Sequence, residues 1–183
     1  MKTFTTVAAL NALFLSASAQ YFGLLSVRSA SPIHYQTVTA SNNSLWLNKP
    51  TASYCPPNIA EISGACPAGN STNFAGGDDT LGMGAVVPGG QQVYIDADTG
   101  AVKYTIAHSA AIPEGAIQDG WNKTSGESFG YLANENGGFI ACPAEDNSWQ
   151  VYVALECVEF DDACLGFNAI ASNSTQAAAW QYT

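Results

Sequence analysis

The fold is decided by residues 88–115, PGGQQVYIDADTGAVKYTIAHSAAIPEG, which have the pattern of a β-hairpin. Apolar side chains alternate with others on both arms, at 93–95 and at 102–106, as expected of strands with one buried face. Between the arms, residues 96–100 reverse the chain, and Gly100 suits the left-handed position of a longer hairpin loop. Pro113 ends the unit because its nitrogen has no hydrogen to donate to a ladder. The stretch predicts an antiparallel, half-buried sheet unit.

The turn at residues 96–100 (DADTG) has some of the oxygen ligands of a calcium-binding loop. Such a loop requires glycine at its sixth position and a bidentate glutamate at its twelfth. Here the glycine is fifth and the twelfth residue is Ala107. The turn is therefore interpreted as a plain chain reversal, and the sequence predicts no metal and no cofactor.

The rest of the chain also has the strand pattern rather than the helical one. Further strands are predicted at residues 21–27, 33–40, 45–47, 81–87, 128–132, 138–142, 149–155 and 164–171. Residues 48–80 are predicted to form a long loop, residues 112–127 are loop-like, and one short helical turn is predicted near residues 175–180. About nine to ten short antiparallel strands in one domain predict an all-β sandwich or barrel-like fold.

The first 19 residues have the features of a secretory signal peptide. Lys2 gives a positive start, residues 7–15 form an apolar run, and residues 17–19 (ASA) are a small-residue cleavage site. The apolar run is too short to cross a bilayer, and the C-terminus lacks the apolar tail of a GPI anchor. Residues 20–183 are therefore predicted to be a single secreted domain with no membrane partner.

The charge balance argues against nucleic acid as a partner. The 183-residue chain has 15 acidic residues, 5 basic residues and a formal net charge of −10. A field of that sign repels phosphate backbones and anionic lipid headgroups. The hydrophobic fraction of 47% is too high for a disordered chain, so we expect a compact extracellular β domain.

Five cysteines in a secreted chain leave one without a partner in the same molecule. Sequence alone does not choose among the possible pairings. A Cys55–Cys66 bridge is favoured by proximity, because it would restrict the long loop in the unfolded chain. For the second bridge Cys142–Cys164 is favoured, between one strand of the last hairpin and the final strand. This assignment leaves Cys157 as the free thiol.

Four Asn-x-Ser/Thr sequons are candidate sites of N-glycosylation. Their asparagines are Asn42, Asn70, Asn122 and Asn173, and none has proline in the middle position. Such triplets also arise by chance in a chain rich in asparagine and serine. All four, however, lie in segments predicted as loops of a secreted protein. We therefore expect glycans, above all at the three sequons that end in threonine.

Two serine motifs offer weak evidence for hydrolytic chemistry. Residues 126–130 (GESFG) match the nucleophile elbow G-x-S-x-G, which needs a helix after it and a histidine later in the chain. Both histidines, His34 and His108, precede this motif, and strand-like residues follow it. His108 and Ser109 are adjacent, and on a strand they would point to opposite faces. Neither motif predicts a catalytic serine, and two histidines make a poor zinc set.

Carboxylates and tryptophans suggest two alternatives related to carbohydrate. The acids at 156 and 159, or at 161 and 162, could form the pair of a small glycosidase, but nothing places a partner carboxylate across a groove. Tryptophans more often fill sandwich cores than stack on sugars. Trp121 and Trp180 lie in less regular segments, so these two are the better candidates for exposed, sugar-stacking rings.

Short blocks of sequence also occur in a characteristic order through most of the mature chain. They lie at residues 27–34, 54–56, 66–70, 87–94, 107–110, 138–143, 149–152 and 164–167. In this order the blocks resemble the fungal cell-wall protein PhiA family, the phialide-development proteins that are also described as IgE-binding antigens. Against the four-cysteine pattern of that family, Cys157 is an addition, which leaves the pairing of the last three cysteines open.

The resemblance implies a secreted glycoprotein of the hyphal or spore wall. Such a protein is needed for forming phialides and conidia and is linked to stress protection. No catalytic residues are implied, so we expect a structural or interaction protein that is not an enzyme. Its expected partners are wall polysaccharide or wall glycoproteins. The alternatives are a carbohydrate-binding module for wall polysaccharide and, less favoured, a small glycoside hydrolase.

Overall fold

The computed structural model describes residues 21–57, 64, 66–126 and 129–183. Within these ranges the chain forms strands and no helix, which confirms the all-β prediction. The predicted signal peptide, residues 1–19, lies outside the described residues. The thirteen strands are β1 (Tyr21–Val27), β2 (Val38–Ser41), β3 (Ser44–Leu47), β4 (Ser53–Tyr54), β5 (Phe74–Met83), β6 (Val93–Ile95), β7 (Val102–Tyr104), β8 (Trp121–Lys123), β9 (Gly130–Asn134), β10 (Phe139–Pro143), β11 (Trp149–Val153), β12 (Leu165–Ser174) and β13 (Gln181–Tyr182).

Eleven of these strands form one curled antiparallel sheet. Its order is β1-β5-β8-β9-β12-β10-β11-β3-β7-β6, and β2 pairs with β3 beside this path. Because β1 pairs with β12 as well as with β5, the pairings that start at β1 return to it through β5, β8, β9 and β12. The sheet is therefore barrel-like, and its inner face is buried against itself without a layer of helices.

Strand β12 is the centre of the sheet. On one side it pairs with β1 over seven residues, from Tyr21↔Ser174 to Val27↔Asn168. On the other side, β9 pairs with its second half and β10 with its first half, so these two short strands lie end to end along it. One strand thus joins the two halves of the sheet.

The core lies on the concave face. β1 alternates between fully and partly buried side chains, and Phe22 and Leu24 point inward. The rings of Trp121, Phe139 and Phe167 follow one another through the interior, with centroids 6.2 Å and 5.5 Å apart. Aromatic pairs at such separations contribute dispersion and electrostatic attraction beyond the area that they bury.

The predicted hairpin is present, although it is shorter than expected. β6 and β7 pair from Val93↔Tyr104 to Ile95↔Val102, and Gly100 has the left-handed φ of 72° that the turn requires. The second arm ends at Tyr104, since Ile106 is 64% exposed. The local signals of alternation and turn glycine therefore located the unit correctly but overestimated its length.

The predicted loop at residues 48–80 is wrong in two places, because the short strand β4 lies within it and β5 begins at Phe74. Gly76, Gly77 and Asp79 all have positive φ values, between 75° and 91°, so the strand is locally distorted. Such distortion breaks the regular alternation of inward and outward side chains, and the sequence pattern of a strand is lost. Residues 58–63 and 65 of this stretch lie outside the described residues.

Four other boundaries also need correction. β8 lies within the predicted loop 112–127, because three residues are too few to show alternation. The predicted strand at 33–40 begins only at residue 38, after Tyr35 with a φ of 57°, and the strand predicted at 81–87 ends at residue 83. No helical turn forms at 175–180, because the backbone of Ala178 and Ala179 bonds to residues 84 and 86 instead.

A buried glutamine holds the C-terminal segment in place. Gln91 is 3% exposed. Its Oε1 accepts a bond from the Tyr182 amide at 2.8 Å, and its Nε2 donates to the carbonyls of Tyr182 and Thr105 at 3.0 Å and 2.9 Å. The side chain replaces the hydrogen bonds of a neighbouring strand, since it satisfies three backbone groups that would otherwise be buried without partners.

We predict that Gly100→Ala lowers the free energy of unfolding by roughly 3 kcal/mol, because an alanine Cβ adds a clash to an unfavourable φ. That Cβ would lie 2.5 Å from the carbonyl oxygen of Val153, whereas at Gly89, with a φ of 86°, it would meet nothing within 4 Å. Gly89→Ala is thus the matched control, with an expected loss of about 1 kcal/mol. Equal losses in guanidinium titrations followed by tryptophan fluorescence would contradict the proposed clash.

We also predict that Gln91→Ala costs about 3 kcal/mol or more of stability, because three buried backbone groups lose their partner. Gln91→Glu keeps an acceptor for Tyr182 but faces two carbonyls with a carboxylate, so burial should raise the pKa of that glutamate in the folded state. The Gln91→Glu variant therefore keeps its full stability at pH values below the unfolded-state pKa of about 4.3. It loses stability as the pH rises through the raised pKa of the folded state.

Thermal unfolding at several pH values tests this expectation. Gln91→Glu should approach the wild type near pH 4 and fall well below it at pH 7, while Gln91→Ala should be destabilised to a similar degree at both. A glutamate variant as stable as the wild type at pH 7 would show that the glutamine does not hold the C-terminal segment.

Candidate functional site

All four sequon asparagines have exposed side chains. Asn42 forms the two-residue turn between β2 and β3 together with Asn43, and both have left-handed φ values near 50°. Asn70 lies on the segment that leads into β5. Asn122 and Asn173 lie in β8 and β12, so the prediction that every sequon falls in a loop is wrong for these two.

The hydroxyl residues of the sequons differ in accessibility. Thr124 and Thr175 are exposed, but Thr72 is 6% exposed and Ser44 is 8% exposed. The Thr72 hydroxyl accepts a bond from the Ala40 amide at 2.9 Å and contacts the Thr51 hydroxyl at 2.9 Å. Glycan transfer to Asn70 would therefore have to precede the packing of Thr72, because the transferring enzyme has to reach the whole triplet.

The cysteines are arranged in two disulfides and one thiol. Cys55 is bonded to Cys66 with a Cα–Cα distance of 6.2 Å, and Cys142 is bonded to Cys164 with a Cα–Cα distance of 4.2 Å. The second bridge joins neighbouring strands of the sheet, β10 and the residue that precedes β12. Cys157 is free and exposed, in a loop whose other polar residues are acidic.

The expectation that Trp121 stacks on a sugar is wrong, because its side chain is only 1% exposed. β8 aims this ring into the core, where its Nε1 has no hydrogen-bond partner in the described part of the chain. Trp180 is half-buried. The most exposed aromatic rings are those of Tyr35, Tyr54, Phe129 and Tyr131.

These exposed rings do not form a flat stacking platform. Phe129 and Tyr131 have centroids 6.0 Å apart, but their planes meet at 82°. Tyr35 stacks on His34 at 4.0 Å and 28°, so one face of its ring is already covered. The structure thus supplies single exposed rings rather than the coplanar shelf on which a polysaccharide chain could lie.

The serine motifs do not form a catalytic site in the described residues. Residues 127 and 128 of the G-x-S-x-G match lie outside them, and the match ends where β9 begins. His108 has a φ of 63°, so it lies in a turn and not on a strand. Ser109 accepts a hydrogen bond from the Ala111 amide at 3.2 Å, and no hydrogen bond joins it to His108 within the described part.

The acids at residues 156–162 are solvated. Glu156, Glu159, Asp161 and Asp162 are exposed on one loop between β11 and β12, and Asp161 accepts a bond from the amide of Ala163 at 2.8 Å. Across the described ranges, no group of three or more His, Cys, Asp or Glu side chains is arranged to hold a metal ion.

The few basic side chains are used inside the molecule. Lys103 bonds Asp96 at 2.8 Å, and this hydrogen bond is the main reason that the pKa of Asp96 is lowered. Lys49 bonds Asp146 at 3.2 Å and lies 4.0 Å from the ring centroid of Trp46. The Ser148 hydroxyl, followed by Lys49, lowers the pKa of Asp146 to about 2.

Two further cations have intramolecular partners. Arg28 donates to the carbonyl of Gly166 at 2.9 Å, and the Lys123 ammonium lies 5.2 Å from the ring centroid of Phe22. With 15 acidic residues against 5 basic ones in the chain, carboxylates outnumber cations. In the described part of the chain no helix is both long and apolar enough to cross a membrane.

A groove with both apolar and hydroxyl-bearing walls lies where β1 and β2 separate. These strands are joined at Leu25↔Thr37, and from there the groove opens to a volume of about 450 Å³. Its wall comes from five separate segments of the chain and is rich in hydroxyl groups. The lining residues are Gly23, Leu24, Leu25, Thr37, Val38, Thr39, Lys49, Pro50, Thr51, Asn70, Ser71, Thr72, Asn73 and Ser172.

Sequence reasoning missed this groove for a structural reason. A motif search finds residues at fixed spacing, whereas the groove is assembled from positions as far apart as 23 and 172. The only sequence signal within it was the sequon at Asn70, which had been interpreted as a modification site alone.

Comparison with known proteins identifies the family. The family model of the PhiA-like secreted protein matches residues 22–183. An uncharacterized secreted protein of Arthroderma benhamiae is 36% identical over 156 residues, which cover 79% of this chain and 76% of that protein. No solved structure gives a significant match. The match over the whole described domain, with the ordered blocks in the sequence, shows that the chain belongs to the PhiA-like secreted protein family.

Proposed function

We propose that this secreted protein is an N-glycosylated structural or interaction component of the fungal cell wall. In this role it acts in the formation of phialides and conidia and in protection against stress. Family membership supports secretion, and the resemblance of the sequence blocks to wall proteins of developing spores supports the finer role. The expected partners are wall polysaccharide and wall glycoproteins.

The observation that carries the proposal is that all four sequon asparagines are exposed. Two of them lie in strands of the main sheet and two lie outside the strands. Glycans at these positions would extend from a turn, from the segment before β5, and from strands β8 and β12. The protein surface between them carries carboxylates and hydroxyls, while Lys49, Lys103 and Arg28 bond to groups of the same molecule. Such a surface is well hydrated and suits contact with hydroxyl-rich polymers.

A role without catalysis is favoured by the arrangement of the reactive groups. The acids of residues 156–162 extend from one exposed loop, whereas glycoside hydrolysis needs two carboxyl groups that face each other across a bound sugar. The Ser109 hydroxyl is engaged by the backbone of its own turn. The groove between β1 and β2, with its hydroxyl groups and apolar wall, favours carbohydrate binding as the second candidate function.

We predict that the protein secreted by a fungal host carries N-glycans that contribute most of its extra mass. Treatment with an N-glycosidase should shift its mobility on a gel, and each of Asn70→Gln, Asn122→Gln and Asn173→Gln should remove one glycan by mass spectrometry. Identical masses before and after treatment would contradict glycosylation.

We further predict that the purified protein sediments with insoluble chitin or β-glucan. Serum albumin, which is also acidic, is the control for non-specific retention, and the assay is run with and without the N-glycans. Retention well above albumin supports a wall role. If the protein stays in the supernatant in both forms, with all polysaccharides and with isolated walls, the proposed wall association is wrong.

A further inference from the structure

We propose that the groove between β1 and β2 is a binding site for a neutral saccharide that carries N-acetyl groups, of the N-acetylglucosamine type. This inference deepens the proposed function and rests on it for the presence of glycans around the protein. Its ligand has two possible sources with the same chemistry: the inner sugars of a glycan on Asn70, or a chitin-type chain of the wall.

The size and charge of the groove fit such a ligand. A volume of about 450 Å³ lies within the range of small-molecule sites. The one charged side chain in its lining is that of Lys49, and this ammonium is engaged by Asp146 and by the Trp46 ring. A neutral ligand needs no charged partner in the groove. An anionic or cationic ligand would find no free charged side chain in this lining.

The hydrogen-bonding groups of the groove are the kind that bind sugars. Thr37, Ser71 and Ser172 are exposed, and their hydroxyls make no hydrogen bond with other described residues. A hydroxyl both donates and accepts, so it can pair with sugar hydroxyls in either sense. These three groups converge on one groove from three separate segments, which is how polar groups fix the orientation of a small ligand.

One acceptor in the groove distinguishes an acetamido sugar from a plain hexose. The side-chain nitrogen of Asn73 is fixed, because it donates to Ser174 and to the carbonyl of Gln176, both at 2.9 Å. The orientation of the Asn73 side-chain oxygen is therefore also fixed. It points toward Gly23, and a Cβ built on that glycine would lie 3.7 Å from this oxygen. That oxygen accepts no bond from another described residue, so it is available for the N–H of an acetamido group.

The groove also offers apolar contact for the acetyl methyl group. Leu25 is half-buried and Pro50 is exposed, and both line the same groove as Asn73. Burial of a methyl group against apolar side chains removes it from water and favours binding. An N–H acceptor next to an apolar wall matches the two ends of an N-acetyl group, and a sugar with a hydroxyl in its place would lose both contacts.

Asn70 ties the groove to glycosylation. Its exposed side chain belongs to the lining, and the same segment, residues 70–73, also borders a second hollow of about 290 Å³ on its other side. A glycan rooted at Asn70 thus begins at the rim of the groove, where its effective concentration is high. The glycan would fill the groove itself or leave it to a wall chain, and affinity measurements distinguish the two.

The test measures binding of soluble chitotetraose by calorimetry to three forms: the glycosylated protein, the enzymatically deglycosylated protein and Asn70→Gln. Cellotetraose, which has the same linkage but hydroxyls in place of acetamido groups, is the ligand control. We expect chitotetraose to bind at least one form, and cellotetraose to bind at least tenfold more weakly. Tighter binding after loss of the Asn70 glycan assigns the groove to that glycan, and equal binding assigns it to a wall chain.

Variants locate the site. Thr37→Val with Ser172→Ala removes two free hydroxyls of the groove and should weaken chitotetraose binding about tenfold, since each hydrogen bond contributes roughly 0.5–1.5 kcal/mol. Thr80→Val with Ser29→Ala changes two exposed hydroxyl residues elsewhere and should leave it unchanged. Both pairs lie at exposed positions, and thermal unfolding checks that each folds.

The proposal is overturned if no form binds chitotetraose, if cellotetraose binds equally well, or if the groove variant and its control bind alike. Each result is distinct from failure of the proposed function. A protein that sediments with walls and carries glycans but does not bind the tetrasaccharide would keep its wall role and lose only the groove.

Discussion

The pairing of β1 with β12 is the interaction on which the rest of the structure depends. No helix of the described residues covers this antiparallel sheet, so it has to bury one face against itself, and it does so by curling until its edge strand β1 pairs with the central strand β12. The seven paired residues of β1 and β12 make that junction. The interior then has room for large rings, and Phe22, Trp121, Phe139 and Phe167 fill it. The core is thus a consequence of this pairing, and the short strands β8, β9 and β10 are held in the sheet through the ten-residue strands β5 and β12 beside them.

At several places side chains form the hydrogen bonds that a neighbouring strand would otherwise provide to backbone amides and carbonyls. Gln91 satisfies three such groups around Tyr182 and Thr105, and the hydroxyl of Thr72 satisfies the amide of Ala40. Burial in this region also raises the pKa of Tyr182 to about 12, although its hydroxyl accepts a bond from the Asn73 amide. A buried polar network of this kind is stable only when each member is satisfied.

Features that depend on residues close together in the sequence were predictable, and features that depend on residues far apart in the sequence were not. The hairpin at 93–104 and its glycine at 100 were predictable, because alternation and turn geometry are local. The first part of β5, before residue 81, was not predictable, since its glycines and the left-handed Asp79 remove the alternation that would have marked it. Trp121 was expected at the surface because its surroundings lack a pattern, but β8 is held in the sheet by β5 and β9, which only the tertiary structure brings together. The groove was unpredictable for the same reason, as its walls meet only after closure.

The segment at residues 70–73 links these consequences of closure to function. Asn70 carries the sequon, Thr72 provides both the hydroxyl of that sequon and a buried bond to β2, and Asn73 fixes the groove acceptor. Because the folded protein buries the Thr72 hydroxyl, any glycan on Asn70 would have to be added before the sheet closes. After closure the same four residues form one wall of the groove. A change at Thr72 would therefore affect the sequon, the buried bond to Ala40 and the groove wall together. A change at Asn70, whose side chain is exposed, would remove the sequon and leave that buried bond in place.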